Sequence, residues 1–288
     1  MTHPPRISDS IMVDEIGVEF GRYQDFVLKT AYQPIFRMAG GFLRPFAVEG
    51  FVVPFREGGR VPIAQLFRNW RPGDEAFIER MCRLLHLRNF RNVGAEGLKL
   101  VFGFDPRTDG PFDMVAREVQ ALVEREDDRC FERKDLICRI ADAAAQDLVL
   151  LAETAAEIHR AGIGLAIDGF GIRDSAPECV EVLRPDIVKI HGDWFRQVTD
   201  KPETARLFGP LVAGLEALGA KVLVSGIEMP HQLAICMDAG VDYLQGHMLG
   251  QPELAGTVID ERPLSPSRFL DRAQRIEPDD KVVRLFKR

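Results

Sequence analysis

The sequence predicts an α/β barrel. Eight short segments of the 288-residue chain have strand character, and helical segments separate six of them. Strands that alternate with helices in this way indicate a parallel sheet, and eight of them indicate a closed barrel rather than an open sheet. The first two strands are joined only by the glycine-rich segment 37–43. Seven residues cannot hold a crossover helix, so this pair is predicted to be antiparallel.

The N-terminal part of the chain leads up to this pair. Residues 1–9 are rich in proline and polar residues and are predicted to be loose. Segment 11–23 has apolar residues at positions that fit a short amphipathic leader helix. The antiparallel strands are predicted at 26–36 and 44–53.

Helices and strands then alternate. Helices are predicted at 63–70, 75–90, 112–124, 148–160, 203–218 and 229–239, and strands at 98–104, 136–140, 163–167, 186–190, 221–224 and 241–244. Right-handed crossovers place the loops that follow the strands on one face of the barrel. A last helix at 264–276 and a basic tail at 281–288 follow. We therefore expect a leader helix at 1–22, a barrel at 23–262, and a C-terminal helix and tail at 263–288.

Composition and charge exclude several function classes. The net charge of −7, from 37 basic and 44 acidic residues, argues against nucleic acid or an anionic membrane surface as a partner. No apolar run approaches the ~20 residues of a membrane-spanning helix. The five cysteines show no metal-ligand spacing and no signal peptide precedes them, so we expect reduced thiols in a cytoplasmic protein.

The segment 162–171, Gly-Ile-Gly-Leu-Ala-Ile-Asp-Gly-Phe-Gly, holds the first candidate site residue. Its apolar strand ends in Asp168. A carboxylate is costly to bury unless it is paired, and ligands of α/β proteins lie beyond the carboxyl ends of the strands. Asp168 is therefore either a site residue or a cap of the following turn.

Six motifs together resemble the EAL domain, a bacterial family of phosphodiesterases that open cyclic di-GMP. They are Tyr32-Gln33-Pro34-Ile35, Val48-Glu49-Gly50-Phe51, Ile167-Asp168-Gly169-Phe170-Gly171, Pro185-Asp186-Ile187-Val188-Lys189-Ile190, Gly226-Ile227-Glu228 and Gln245-Gly246-His247. They follow the order and spacing of the family over residues 23–255. The resemblance implies a modified TIM-like (β/α)8 barrel with an antiparallel first strand, in agreement with the hairpin.

The site of the family is only partly retained. Active members hold two divalent ions, which generate the attacking hydroxide. The resemblance carries over a vestigial site of Glu49, Asp168, Lys189, Glu228 and Gln245. Five positions differ: the asparagine ligand is Gly103, a glutamate ligand is Arg139, the second loop aspartate is Gly169, the glutamate base is Ser225, and the arginine that grips phosphate is Val53.

Arg139 decides the prediction for the metals. The three acids Glu49, Asp168 and Glu228 and the two bases Arg139 and Lys189 give this site a net charge of −1. Two divalent ions would change that net charge to +3. A divalent ion about 4 Å from an arginine meets roughly 8 kcal/mol of repulsion at an effective dielectric near 20. We therefore predict that Arg139 replaces a metal, forms an ion pair with Asp168 or Glu49, and leaves no cofactor and no hydrolysis by the family mechanism.

Some residues keep two interpretations. Asp168 and Lys189 are either a residual ion pair in the barrel mouth or ligand contacts. Arg139 either fills the pocket or contacts phosphate. His191 is interpreted as a hydrogen-bonding residue rather than a catalyst.

Three functions remain open. The leading hypothesis is a catalytically inactive regulator in cyclic di-GMP signalling that acts through a protein partner; a homodimer is compatible with it. The second is a metal-free cyclic di-GMP receptor, with ligand contacts from Gln33, Arg139, Asp168, Lys189 and Gln245. The third is an active phosphodiesterase with rearranged ligands, which would need Mg²⁺ or Mn²⁺.

Overall fold

Short strands and helices alternate around one closed sheet. The computed structural model of the chain describes residues 7–93, 97–124, 131–141, 143, 147–170 and 177–274. The strands are β1 Ile11–Val13, β2 Glu19–Tyr23, β3 Phe26–Ala39, β4 Phe42–Arg56, β5 Gly59–Arg60, β6 Lys99–Phe104, β7 Leu136–Ile140, β8 Gly164–Phe170, β9 Ile187–Ile190, β10 Lys221–Val224, β11 Tyr243–Leu244 and β12 Glu253–Leu254.

The helices connect these strands. They are α1 Ile7–Ser10, α2 Ile63–Arg68, α3 Glu75–Asn89, α4 Pro106–Asp109, α5 Phe112–Val123, α6 Leu148–Arg160, α7 Pro177–Leu183, α8 Gly192–Thr199, α9 Pro202–Ala205, α10 Phe208–Ala217, α11 Pro230–Asp238 and α12 Ser267–Gln274. Within the described residues, every helix is too short or too polar to span a lipid bilayer.

The barrel is closed by eight strands in the order β3, β4, β6, β7, β8, β9, β10, β11 and back to β3. Strand β3 runs antiparallel to both of its neighbours, β4 and β11. The other six junctions are parallel. The prediction of an α/β barrel with an antiparallel first strand is therefore confirmed.

Two apolar layers support the barrel. One lies between the strands and the surrounding helices. The other lies inside the barrel and consists of Ile35, Ala47, Val101, Ile137, Ala166, Ile187 and Leu223. The rings of Phe46 and Tyr243 stack beside this inner layer, with centroids 4.2 Å apart. This part of the interior is thus a packed apolar core, as is usual for a barrel of this kind.

A small lobe extends the sheet beyond the barrel. We use "lobe" for β1, β2, β5, α2 and the paired ends of β3 and β4, where Phe26 lies opposite Arg56. Strand β4 pairs with β6 only as far as Glu49, so its last residues belong to the lobe. The lobe has its own apolar core, which includes Tyr23, Phe26 and Leu66.

The leader helix predicted at 11–23 is wrong, because these residues form the antiparallel hairpin of β1 and β2. The Asp14 side chain accepts hydrogen bonds from the backbone N–H groups of Ile16 and Val18, and Gly17 follows with φ of +82°. This Asx turn reverses the chain. Burial in β2 then alternates residue by residue, which is the period of a strand.

Other boundaries also differ. The helix predicted at 203–218 is two helices, α9 and α10. Proline breaks a helix when it lies inside it, and the new start at Phe208 places Pro210 in the first turn, where its missing N–H is tolerated. The sequence did not indicate helix α8. The last predicted helix is α12, and the basic tail at 281–288 lies outside the described residues.

Candidate functional site at the mouth of the barrel

The strand period builds the site directly above the inner apolar layer. Side chains two residues apart on a strand point to the same side. The layer above the apolar one therefore receives the residues two positions further towards the mouth, which are Gln33, Glu49, Gly103, Arg139, Asp168, Lys189, Ser225 and Gln245. The family resemblance implied that Glu49, Asp168, Lys189 and Gln245 lie at one end of the barrel, and the strand order is consistent with that placement.

Glu49 is the centre of the polar contacts. Its side chain is 2% exposed. Its Oε2 accepts hydrogen bonds from Lys189 Nζ at 2.7 Å and from Gln245 Nε2 at 2.9 Å. Its Oε1 lies 2.9 Å from Arg139 Nε, a contact that has the distance of an ion pair but not the alignment of a hydrogen bond. Two cations and one amide therefore hold this buried carboxylate.

Arg139 bridges the two carboxylates of the mouth. Besides the contact with Glu49, its Nη1 donates to Asp168 Oδ2 at 2.9 Å. Its Nη2 lies 3.2 Å from the point where a Cβ on Gly103 would be. The guanidinium therefore occupies space that a side chain at position 103 would need. The predicted ion pair is present and joins both candidate acids rather than one.

Asp168 also satisfies the alternative interpretation. Its Oδ1 accepts a hydrogen bond from the backbone N–H of Gly169 at 2.6 Å, while Oδ2 binds Arg139. Gly169 has φ of +85°, which a glycine adopts without strain. Asp168 is thus both the cap of its turn and a member of the charged cluster. It does not form the predicted pair with Lys189, which binds Glu49 instead.

The cluster has no net charge, and Glu49 and Arg139 remain ionised within it. Burial raises the pKa of Glu49, but the charges of Lys189 and Arg139 and the hydrogen bonds to it outweigh burial and lower that pKa to about 2. Burial lowers the pKa of the Arg139 guanidinium, yet the carboxylates of Glu49 and Asp168 leave it raised. Two carboxylates face two cations. These four residues together therefore offer no excess negative charge to a cation.

These residues do not fit a pair of divalent ions. Divalent ions need several free oxygen ligands. Both carboxylates of the cluster are engaged by Arg139, Gly103 supplies no side-chain donor, and Gln245 turns its Nε2 rather than an oxygen toward Glu49. Within the described part of the chain, no three His, Cys, Asp or Glu side chains come together as a metal site would require.

Glu228 lies apart from the charged cluster, and Ser225 and His191 make local hydrogen bonds instead of joining it. Glu228 is 52% exposed, and its Oε1 lies 3.7 Å from Arg196 Nη1. The predicted charge count of −1 included Glu228 and is corrected to zero by this placement. The Ser225 hydroxyl donates to the carbonyl of Ile190 at 3.1 Å, so it caps a neighbouring strand. His191 caps helix α8, where its Nδ1 accepts from the N–H of Asp193 at 3.2 Å.

A groove of about 570 Å³ adjoins the cluster on the side of the lobe. Gln33 lies in it and donates from Nε2 to the carbonyl of Gly250 at 3.0 Å. Phe51 and Val53 from β4 form an apolar wall, and His247 contributes from the opposite side. Position 53, where the family resemblance places an arginine that grips phosphate, thus adds an apolar surface to this groove.

Sequence reasoning missed the residue that supports β4 from behind. His86 of α3 is buried and its Nδ1 is 3.0 Å from Thr30 Oγ1. Burial, assisted by the charge of Arg83, lowers the pKa of His86 to about 3. A Cβ on Gly50 would lie 2.7 Å from His86 Cγ, so the imidazole requires glycine next to Glu49. An isolated glycine inside a strand was the available signal.

Comparison with known proteins agrees with this architecture. The model of the EAL domain family matches residues 24–252. The chain is 31% identical over 98 residues to the probable cyclic di-GMP phosphodiesterase PdeD of Escherichia coli K12, which covers 34% of this chain and 18% of that protein. It is 22% identical over 237 residues to the cyclic di-GMP phosphodiesterase NbdA of Pseudomonas aeruginosa, covering 80% of this chain and 29% of NbdA. The chain thus spans less than a third of either relative.

Solved structures share the fold at low sequence identity. A standalone versatile EAL protein from Vibrio cholerae O395, with cyclic di-GMP bound, superposes with a TM-score of 0.70 at 18% identity, covering 83% of this chain and 98% of that one. The EAL domain of FimX from Pseudomonas aeruginosa, also with cyclic di-GMP bound, superposes with a TM-score of 0.67 at 20% identity, covering 81% of this chain and 93% of that one.

Proposed function

This chain belongs to the EAL domain family, and on that premise we propose that it is a member that does not hydrolyse cyclic di-GMP and regulates signalling by this nucleotide through protein contacts. One observation carries the proposal: the Arg139 guanidinium lies between Glu49 and Asp168, 2.9 Å from an oxygen of each. The barrel is kept, and a fixed cation holds the carboxylates that would otherwise be available to metal ions.

The chemistry supports this assignment. Metal-assisted phosphodiester hydrolysis needs an activated water and a clamp for the developing charge. The acids that would bind the ions are neutralised by Arg139 and Lys189. The Ser225 hydroxyl, at the position of the family's glutamate base, donates to a backbone carbonyl and is a poor base near neutral pH.

Turnover is the first test. The purified chain is incubated with cyclic di-GMP and either Mg²⁺ or Mn²⁺, and the linear product is followed by chromatography. We expect no product above the buffer control and no difference between wild type and Asp168→Asn. Metal-dependent turnover that Asp168→Asn abolishes would refute the proposal in favour of a phosphodiesterase with rearranged ligands.

A gain-of-binding variant tests the role of Arg139 with a positive signal. We expect the melting temperature of the wild type to be unchanged by 10 mM Mg²⁺ or Mn²⁺. Arg139→Glu removes the fixed cation and adds a carboxylate, so divalent ions should stabilise this variant; a Kd of about 1 mM would add roughly 1.4 kcal/mol. Equal responses of both proteins would contradict the idea that Arg139 takes the place of an ion.

A metal-free cyclic di-GMP receptor is the second candidate. It is supported by the partial exposure of Arg139 at the mouth and by the polar Gln33 in the adjoining groove. Calorimetry with EDTA and with Mg²⁺ should then give the same affinity, weakened by Arg139→Ala. Absence of binding at high micromolar nucleotide would eliminate this candidate and leave regulation through protein contacts alone.

A further inference from the structure

The lobe presents an apolar surface beside the groove. Helix α2 exposes Ile63 by 37% and Phe67 by 52%, and these residues are four apart, so they lie on one helix face. On an adjacent side of α2, Leu66 is completely buried in the lobe core. Trp70 packs edge-on against Phe67, with ring centroids 4.9 Å apart, and holds that ring in place.

This surface continues into the groove next to the mouth. Ile63 and Pro62 of the lobe line the groove together with Phe51 and Val53 of β4. Through Ile63, the apolar helix face thus adjoins the groove. Contiguous exposed apolar surface of this kind marks an interaction site more often than scattered single residues do.

Three arginines with no ion-pair partner among the described residues lie on or next to the same surface. Arg60 lines the groove, Arg68 ends α2, and Arg71 follows shortly after; all three are exposed. Among the described residues, no carboxylate lies within ion-pair distance of any of them. By contrast, the nearby Arg56 is paired with Asp25 at 2.5 Å. Three exposed arginines without a described ion-pair partner therefore lie together here, on a chain whose net charge is −7.

We propose that the lobe and its groove dock an acidic amphipathic segment of a partner protein. The apolar side chains of the segment would lie against Phe67, Ile63 and the groove, and its carboxylates would meet Arg60, Arg68 and Arg71. This inference deepens the proposed function, because it names the surface and the partner chemistry for regulation through protein contacts.

Charge and shape favour a peptide over the alternatives. A lipid surface is flat, whereas this surface is concave, with a volume of about 570 Å³. A phosphate-bearing ligand is less well matched, because Arg60 is the single Lys or Arg among the described residues that line the groove, position 53 there is Val53, and Arg139 and Lys189 are held by the carboxylates. A peptide needs both features that are present, an apolar groove and cations at its edge.

Selection from a random peptide library displayed on phage, with the full chain immobilised, tests the proposal. The best selected peptide is labelled and titrated by fluorescence polarisation against wild type, Phe67→Ser/Arg60→Glu, and a matched control. The control is Leu207→Ser/Arg206→Glu, which changes an exposed leucine and an exposed arginine on the α9–α10 connection.

We expect peptides in which Asp or Glu flanks large apolar residues. Their Kd should rise at least tenfold in the lobe variant and less than twofold in the control, and binding should weaken as salt is raised. Selected peptides without acidic residues, or no enrichment at all, would overturn the proposal.

The remaining outcomes separate this proposal from the proposed function. Equal binding of the peptides to the lobe variant and to the control variant would show that the lobe is not the docking surface. The proposal of regulation through protein contacts would be unaffected. Vesicles of phosphatidylglycerol or cyclic di-GMP that bind the wild type but not the lobe variant would reassign the surface to lipid or nucleotide. Metal-dependent turnover by the wild type would refute the proposed function without changing the peptide result.

Discussion

The mouth of the barrel and the lobe differ in whether their charged side chains are paired. At the mouth, Glu49, Asp168, Arg139 and Lys189 neutralise one another at distances of 2.7 to 2.9 Å. At the lobe, Arg60, Arg68 and Arg71 are exposed and have no carboxylate partner among the described residues. A buried charge must be paired because its desolvation is costly, whereas an exposed one remains solvated. The charges at the strand ends are therefore satisfied by one another, whereas the arginines without a described partner lie at the lobe.

The largest expected effect comes from breaking the mouth cluster. Arg139→Ala leaves the buried Glu49 with one cation fewer and Asp168 with none, and loss of one partner of a buried pair typically costs about 3–5 kcal/mol. Urea unfolding measures this loss. Arg117→Ala is the control, because its pair with Asp113 is exposed and should contribute under about 1 kcal/mol. Equal losses for both variants would mean that the mouth cluster is not a structural unit.

The second prediction concerns acid stability. The folded pKa of Glu49 is about 2, below its ordinary value of 4.5. The contribution of ionised Glu49 to the free energy of unfolding is therefore complete above about pH 4.5, and it is lost as the pH falls toward 2. At roughly 1.4 kcal/mol per pKa unit, this contribution is about 3 kcal/mol. The free energy of unfolding of wild type and Glu49→Gln, compared from pH 7 to pH 3, should differ less as the pH falls. A constant difference would contradict the pairing.

The third prediction concerns the wall behind Glu49. Gly50→Ala would bring a methyl group to 2.7 Å from His86 Cγ, and such overpacking costs about 1–3 kcal/mol. His86→Ala alone leaves a cavity, but the double variant removes the clash. In a double-mutant cycle, the two changes should therefore cost less together than the sum of the single changes. Strict additivity would show that the imidazole does not constrain position 50.

The smallest effect is expected on the lobe. Arg60→Ala should change the free energy of unfolding by no more than about 0.5 kcal/mol, because its exposed side chain has no ion-pair partner among the described residues. The measurement is urea unfolding beside Arg139→Ala. A large loss would show that Arg60 is part of the structure, and the contrast between lobe and mouth would fail.

Local patterns predicted most of the barrel. Strand periodicity, the seven-residue link between the first two strands and the helices between the others depend on neighbours in sequence. The sequence did not predict the hairpin at 11–23, because its few apolar residues also fit a helix and the Asx turn at Asp14 was not recognised. Family resemblance added the positions at the strand ends, and the strand period explains why they share one layer.

Residue patterns along the chain were sufficient to predict the eight strands of the barrel and the antiparallel pair, and the family resemblance placed Arg139 where a metal ligand was expected. The three-dimensional structure was needed to show that Arg139 binds both Glu49 and Asp168, that Lys189 binds Glu49, and that Glu228 stands outside the cluster. Local patterns could not predict these contacts, because the contacts join strands far apart in the chain. Lys189 and Glu49 are 140 residues apart, and Gln245 and Glu49 are 196 residues apart. The strand register of the barrel and the lengths of the side chains therefore determine which groups pair.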